Sequence, residues 1–334
     1  MAFIADILVG LSYGDEGKGC VTNALLKSGG YTHCVKSNGG HNSGHTIVHE
    51  GKKIVTHAVP SGVVQGVKSI VGPGCVINFG LLHKEIEELE SAGVNVRDFL
   101  YIDERVNIIE SEHLDEDSKD SKIGTTRRGN GPAYRDKYDR KNRRFGDVPT
   151  PINSIDVYEE FFENDSDVVA LFEGGQGFYL DIDWGDYPYV TSSHCTTAGA
   201  MLNGIPPQSI RNVYGIAKAY DTYVGAKNFE PNDPTMQQIR EVGNEYGSTT
   251  GRPRQVNYLN VDDLVRAIRV NGVTCLIVNK VDVLEEVGTW KAYINGELRD
   301  FEDKRSFTDF LSRHIVKNCE TVSSIKFSTT PDGI

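Results

Sequence analysis

The 334-residue chain lacks most of the features that would place it in a special class. It has no apolar run long enough to cross a bilayer, and no membrane role is expected. Only six cysteines occur, at 20, 34, 75, 195, 275 and 319, with no CxxC pair and no regular spacing. A chain of this length can bury a core without disulfides, so reduced thiols and a cytoplasmic setting are expected. Positive charge is scarce: 35 Lys and Arg against 47 Asp and Glu leave a formal net charge of −12. That balance argues against nucleic acid as a partner, although local basic clusters and helix N-termini can still hold small anions. The start, MAFIADILVG, has neither a basic n-region nor a cleavage site and reads as a buried first strand rather than a signal peptide. There is no low-complexity tract, repeat or linker, and residues 1–334 are read as one domain.

What is present is an alternation of apolar strands and amphipathic helices. Strands are expected at Phe3–Val9, Ser69–Val76, Asp167–Phe172, Val213–Ala219, Val273–Val278 and Thr321–Phe327. Helices are expected near Gly17–Lys27, Leu82–Ser91, Val261–Val270 and Ser306–Val316. Asn295-Gly296 between two alternating runs signals a hairpin within Trp290–Phe301. Fully apolar strands alternating with helices mean an α/β fold: a mostly parallel central sheet flanked by helices, with a hairpin- and loop-rich periphery. The acidic stretch Glu110–Asp120 reads as a solvated helix or loop. The basic stretch Lys122–Arg144 carries nine Lys and Arg among glycines and threonines, which favours an anion site over a bland basic surface.

Several segments could carry chemistry. Gly14-Asp15-Glu16-Gly17-Lys18-Gly19 follows a strand and opens a helix, a P-loop-NTPase-like arrangement in which backbone N–H groups and the helix dipole attract phosphate. It is not a Walker A loop, because Gly19 stands where Ser or Thr would follow the lysine. A carboxylate in such a loop repels phosphate unless it acts as a general base or a Mg²⁺ ligand; a plain glycine turn is the bland alternative. His41 and His45 lie four apart, but the surrounding glycines disfavour the helix a metal pair would need, so a loop histidine acting as general acid is the better reading. Ile123 to Tyr134, Glu173 to Gly177, Tyr187 to Ser193 and Gly247 to Arg254 mix hydroxyls, glycines and arginines suited to phosphate or carboxylate. Asn279-Lys280-Val281-Asp282 follows a buried strand, and Asp282 could accept two hydrogen bonds from a guanine edge.

In this order, GDEGKG, NGGHNSGHT, GTTRRGNGPAY, EGGQG, YPYVTSS and TTGRPR resemble the adenylosuccinate synthetase family over most of the chain. The resemblance implies a ligase that phosphorylates the 6-oxygen of a purine nucleoside monophosphate and lets the amine of L-aspartate displace it. It implies Asp15 as the base at purine N1, His45 as the acid opposite, and Lys18 on the phosphates. Mg²⁺ would be held by Asp15 and the backbone of Gly44. The monophosphate would be bound by Asn42, Thr125, Thr126, Gln176, Thr191, Val224 and Arg252. Arg140 would reach the nucleotide of a second subunit, which makes a homodimer. L-aspartate would be clamped by Thr249, Thr250, Gly251, Arg252 and Arg254. The nucleoside triphosphate would lie on Gly14, Glu16, Gly17, Lys18, Gly19, Gly44, His45 and Thr46, with Asn279, Lys280, Asp282, Ser328 and Pro331 at its base.

Departures from the family pattern point to nucleotide choice. Tyr13 stands for the common Trp, Arg127 for Gly, Asn130 for an apolar residue, Tyr223 for an Arg near the ribose, Lys227-Asn228 for Gly-Pro, Gln255 for Arg and Thr330 for Gly. The chain is also shorter than most cellular members. Together these features resemble the short phage-type branch that joins aspartate to dGMP, with ATP, dATP or GTP as donor, in the host cytoplasm. An ordinary enzyme using IMP and GTP is the alternative. A nucleotide-binding switch is a third reading, disfavoured because it would need no aspartate clamp.

Overall fold

The computed structural model describes residues 2–49, 51–120, 122–247 and 251–328. Thr249, Thr250, Thr330 and Pro331 lie outside the described residues. Among the described residues nine strands form the central sheet: β1 Phe3–Gly10, β2 His33–Lys36, β3 Lys68–Val71, β4 Leu100–Asp103, β5 Asn153–Ile155, β6 Val168–Glu173, β7 Ile210–Lys218, β8 Cys275–Asn279 and β9 Ser324–Phe327. Their spatial order is β9-β8-β7-β1-β6-β2-β3-β4-β5, and every pairing is parallel.

The apolar first strand takes the centre because both of its faces are covered. Side chains alternate along a strand, so Leu8 joins Val21 and Leu26 of α1 (Lys18–Lys27) on one face. Ile7 and Val9 join Leu264 and Ile268 of α2 (Val261–Asn271), and Phe307 and Leu311 of α3 (Lys304–Asn318), on the other. Leu8 and Ile7 are 0% exposed, and burying each is worth about 1.5–3 kcal/mol. Local signals set the helix ends. Asn260 accepts the N–H groups of Asp262 and Asp263 at the start of α2, and Gly272 closes it with φ 63°.

The Ser69–Val76 run is two short strands, 68–71 and 76–77, rather than one. Gly72 and Gly74 break it: a Cβ at Gly74 would lie 2.1 Å from the Ser37 carbonyl oxygen, so the chain turns against its neighbour there. The hairpin signal is met by strands 291–294 and 297–300, with Asn295 at φ 53° and Gly296 at φ 77° as a primed turn demands. The acidic stretch contains a helix, Ser111–Asp117, but it is more than a solvated surface. Asp117 accepts the N–H of Gly129 at 2.8 Å and Asp120 that of Gly124 at 2.9 Å, so the acids anchor the basic glycine-rich segment that follows.

After β1 the chain moves outward through β2 to β5, returns to insert β6 beside β1, and then continues on the opposite side through β7 to β9. The crevice beyond the carboxyl ends of β1, β6 and β7 is the topological switch point, where open parallel sheets bind ligands. Register lines up charged and polar residues along that edge: Lys36 pairs with Glu173, and Lys218 with Asn279.

Candidate active site

The turn between β1 and α1 is built around Glu16, which is fully buried. Its carboxylate accepts the N–H groups of Ser12 at 3.1 Å and Gly14 at 2.8 Å, and the Lys18 ammonium at 2.5 Å. The Glu16 carboxylate is therefore turned inward, and only its backbone in the loop could face a triphosphate. Lys18, itself 4% exposed, is held by that carboxylate at the first residue of α1. Gly14 (φ 86°) and Gly17 (φ 93°) supply the left-handed backbone, and Asp15 adopts φ 60° between them. A non-glycine residue in that region costs on the order of 1–2 kcal/mol and needs a surrounding that over-determines it. Gln176, Arg140 and Lys280 share this conformation among the candidate residues.

Asp15 differs from its neighbour. Its side chain is 34% exposed, and Oδ2 lies 2.9 Å from Arg254 Nε, although that N–H is not aligned for a hydrogen bond. Arg254 in turn donates from Nη1 to Glu245 Oε2 at 2.5 Å. Glu245 is 1% exposed and receives Lys218 Nζ at 3.1 Å and the Tyr220 hydroxyl at 2.6 Å. Burial would raise its carboxyl, but Lys218 and Arg254 hold it down to about 2.

His45 sits on the other side of the turn, packed so closely that a Cβ at Gly19 would lie 2.8 Å from the His45 Cβ. This contact explains why no hydroxyl residue follows Lys18. Both His45 ring nitrogens are buried without a hydrogen-bond partner among the described residues, and Nδ1 lies 3.4 Å from Glu173 Oε2. Burial pushes the imidazole below its ordinary value, against the pull of Glu173. Burial opposes ionisation of Glu173 as well, but His45, Lys36 and the Ser61 N–H hold its carboxyl down to about 2. A buried acceptor and an unpartnered imidazole in one crevice suit stabilisation of charge on a transferred group.

A third cluster gathers amides and hydroxyls. Asn42 Oδ1 accepts from Gln176 Nε2 at 2.9 Å and Asn130 Nδ2 at 3.0 Å, while Asn42 Nδ2 donates to Thr191 Oγ1 at 3.3 Å. The structure thus joins Asn42, Gln176 and Thr191. Thr125 and Thr126 stand on the adjoining loop, where Asp120 accepts the Thr125 N–H at 3.4 Å. Val224 is 43% exposed at a strand end; Arg127, Arg140, Gly251 and Arg252 are exposed. The donor-base residues meet at the ends of β8 and β9. Asn279 Nδ2 donates to the Glu16 carbonyl at 2.7 Å, Lys280 Nζ donates to the Gly243 carbonyl at 3.0 Å, Asp282 is exposed, and the Ser328 N–H donates to Val278 at 2.9 Å. Thr46 is the second residue of the strand His45–His49 that follows Gly44, and its carbonyl accepts Cys20 Sγ at 3.3 Å.

With these groups in place the comparisons with known proteins are decisive. The family profile described as adenylosuccinate synthetase matches residues 7–170 and 151–322. The chain belongs to the adenylosuccinate synthetase family. It is 39% identical to the adenylosuccinate synthetase of Xylella fastidiosa over 355 aligned positions, covering 90% of this chain and 81% of that one. It is 35% identical to that of Cytophaga hutchinsonii, covering 96% and 90%. Among solved structures, the fully ligated adenylosuccinate synthetase of Plasmodium falciparum matches with a TM-score of 0.81 and 26% identity over 98% of this chain and 97% of that one. The succinoaminodeoxyadenylate synthetase of cyanophage S-2L, bound to dGMP and dATP, matches with a TM-score of 0.70 and 23% identity over 94% and 100%, a likeness of fold. As an adenylosuccinate synthetase-like protein the chain is an NTP-using carbon–nitrogen ligase of purine biosynthesis that binds a nucleoside monophosphate, a triphosphate and aspartate.

Mg²⁺ is the cofactor implied for such a ligase, and the donors fit it. Asp15 offers a partly exposed carboxylate, a hard oxygen donor, where Glu16 is closed. The Asp181, Asp183 and His194 group also brings three ligand-type atoms within 4.8 Å of one another. Asp181 there is occupied by the N–H groups of Asp183, Trp184 and Cys195 and has a structural role.

The motifs did not single out Lys36, Lys218 and Glu245, and held Glu173 only as the first residue of the Glu173–Gly177 segment. One signal was available: Lys36 and Lys218 each follow apolar residues at the end of a strand, and a lysine in a two-sided buried strand must have a partner. Of the departures from the family pattern, four form a single contact group. Lys227 Nζ pairs with Asp186 and lies 3.3 Å from the Tyr13 hydroxyl; the Tyr13 and Tyr223 rings are 5.7 Å apart; Gln255 donates to the Lys227 carbonyl at 2.7 Å.

Proposed function

We infer that the protein joins L-aspartate to C6 of IMP using GTP. The observation that carries the ligase site is the contact of Arg254 with Asp15, which sets a carboxylate-binding guanidinium beside a carboxylate at the mouth of a phosphate loop. The choice of IMP is supported by relatives 35–39% identical that bear the name of the ordinary enzyme.

Asp15 takes the proton from purine N1, and the electron pair moves to O6, which attacks the γ-phosphorus as the nucleoside diphosphate leaves. His45, oriented by Glu173, donates toward the transferred phosphoryl group. When bound at Asp15 and Gly44, Mg²⁺ supplies neutralisation of phosphate charge. Arg254, with Gly251 and Arg252 on the same segment, holds the aspartate carboxylate so that its amine reaches C6. Phosphate leaves from C6 as the C–N bond forms, and the ammonium proton passes to a base. Positioning and charge neutralisation account for most of such a rate enhancement. Asn42, Thr126, Gln176 and Thr191 bind the monophosphate, Arg140 reaches it from a second copy in a homodimer, and Asp282 reads the guanine of the donor. Six free thiols accord with a cytoplasmic setting.

A second reading, dGMP as acceptor, is favoured by the contact group of Tyr13, Tyr223, Lys227 and Gln255. One assay separates the two: phosphate release with Mg²⁺ and aspartate, pairing IMP, GMP or dGMP with GTP, ATP or dATP. Turnover with IMP and GTP is expected; turnover confined to dGMP would overturn the choice of IMP. Asp15→Ala and His45→Ala are each expected to lose nearly all turnover while nucleotide binding persists. Near-normal rates in both would remove the proposed roles.

A further inference from the structure

Beneath the Asp15–Arg254 contact lies a buried network that no step above uses. Glu245 is tied to Arg254 twice. Its carbonyl accepts the Arg254 N–H at 3.0 Å, and its carboxylate accepts Arg254 Nη1 at 2.5 Å. The second carboxylate oxygen is taken by Lys218 and Tyr220, from the end of β7 and the strand that follows it. β7 is hydrogen-bonded to β1, which carries the phosphate loop, so the network links the guanidinium to the rigid sheet on which Asp15 also depends.

We propose that Glu245 is a positioning residue for the ligase reaction: anchored by Lys218 and Tyr220, it holds the Arg254 fork so that its Nε edge, which lies against Asp15, also meets the substrate's carboxylate. The inference rests on the reading of Arg254 as part of the aspartate clamp. Three features carry it. The guanidinium has its Nη1 committed to Glu245, while Nε near Asp15 has no aligned hydrogen bond, and the Nε edge is one that binds a carboxylate bidentately. Glu245 has no freedom to turn, since it is 1% exposed and both oxygens are engaged. Space is also closed at Gly243, where a Cβ would lie 2.5 Å from the Tyr220 hydroxyl and 3.2 Å from Glu245 Cγ. Asp15, Arg254, Glu245 and Lys218 form a neutral quartet, so neutralising Glu245 leaves Arg254 pulled toward Asp15 alone.

Steady-state kinetics on three variants of the full chain test this. With Glu245→Gln, the KM for aspartate is expected to rise at least about tenfold while the KM values of both nucleotides stay within about twofold. Tyr220→Phe removes one hydrogen bond from Glu245 and keeps every charge; it is expected to raise the aspartate KM about threefold, and it decides the matter alone if Glu245→Gln does not fold. Arg254→Lys is expected to raise the aspartate KM at least about tenfold, because lysine cannot reproduce the fork. An unchanged aspartate KM in Arg254→Lys would remove the clamp reading itself. A raised KM there, with unchanged aspartate KM in the Glu245 and Tyr220 variants, would overturn the positioning role and leave Glu245 a purely structural residue.

Discussion

Glu16→Gln isolates what the buried loop carboxylate does. Glu16 and Lys18 are 0% and 4% exposed and 2.5 Å apart. Glutamine keeps an acceptor for the Ser12 and Gly14 N–H groups, so those hydrogen bonds survive. What changes is Lys18, whose ammonium then faces an amide in place of its counter-ion. The side chain cannot swing away: a Cβ at Gly10 or Gly177 would lie 2.5 Å from one of its oxygens, which shows how tightly both neighbours pack on it. Breaking a buried ion pair by removing one partner costs about 3–5 kcal/mol. For a chain of this size that corresponds to a fall of roughly 5–10 °C in Tm without ligand. A bound triphosphate supplies Lys18 with new anionic partners, so a non-hydrolysable GTP analogue should raise the midpoint of Glu16→Gln by more than that of the parent. Differential scanning fluorimetry with and without the analogue measures both quantities. An unliganded variant melting within about 1 °C of the parent would refute the view that this pair holds the loop.

Asp221 supplies a pH test. Burial raises its carboxyl from 3.8 to about 6, against the hydrogen bond from Ser12 and the Asn260 N–H. A carboxyl raised on folding contributes stability that is complete below its unfolded value and is lost as pH rises through the folded one. At about 1.36 kcal/mol per unit, the loss between pH 4 and pH 7 is on the order of 3 kcal/mol. The Tm difference between Asp221→Asn and the parent should therefore be more favourable at pH 8 than at pH 4, and an equal difference at both values would contradict the assignment. The dimer role of Arg140 predicts complementation: Asp15→Ala and Arg140→Ala, each inactive alone, should recover about a quarter of parental turnover after mixing and re-association, and no recovery would exclude Arg140 acting across subunits.

The sequence alone determined the layered α/β architecture, because two-sided apolar strands such as Phe3–Gly10 are stable only between helices. It also picked out the glycine turns, the histidine at 45 and the arginine-rich segment before the strand Gln255–Asn260, since their residue types suit φ > 0, close backbone approach and anion binding. It could not show that Glu16 points inward while Asp15 points out, because adjacent carboxylates in a turn look alike until the backbone dihedrals are known. Nor could it show that the acidic stretch anchors the basic one, or that Tyr13, Tyr223, Lys227 and Gln255 are neighbours. These are contacts that only the folded backbone brings about, and Glu173 reaches His45, and Glu245 reaches Lys218, only after the parallel strands align their carboxyl ends. Local preference sets which elements form; the register of the sheet decides which charges meet.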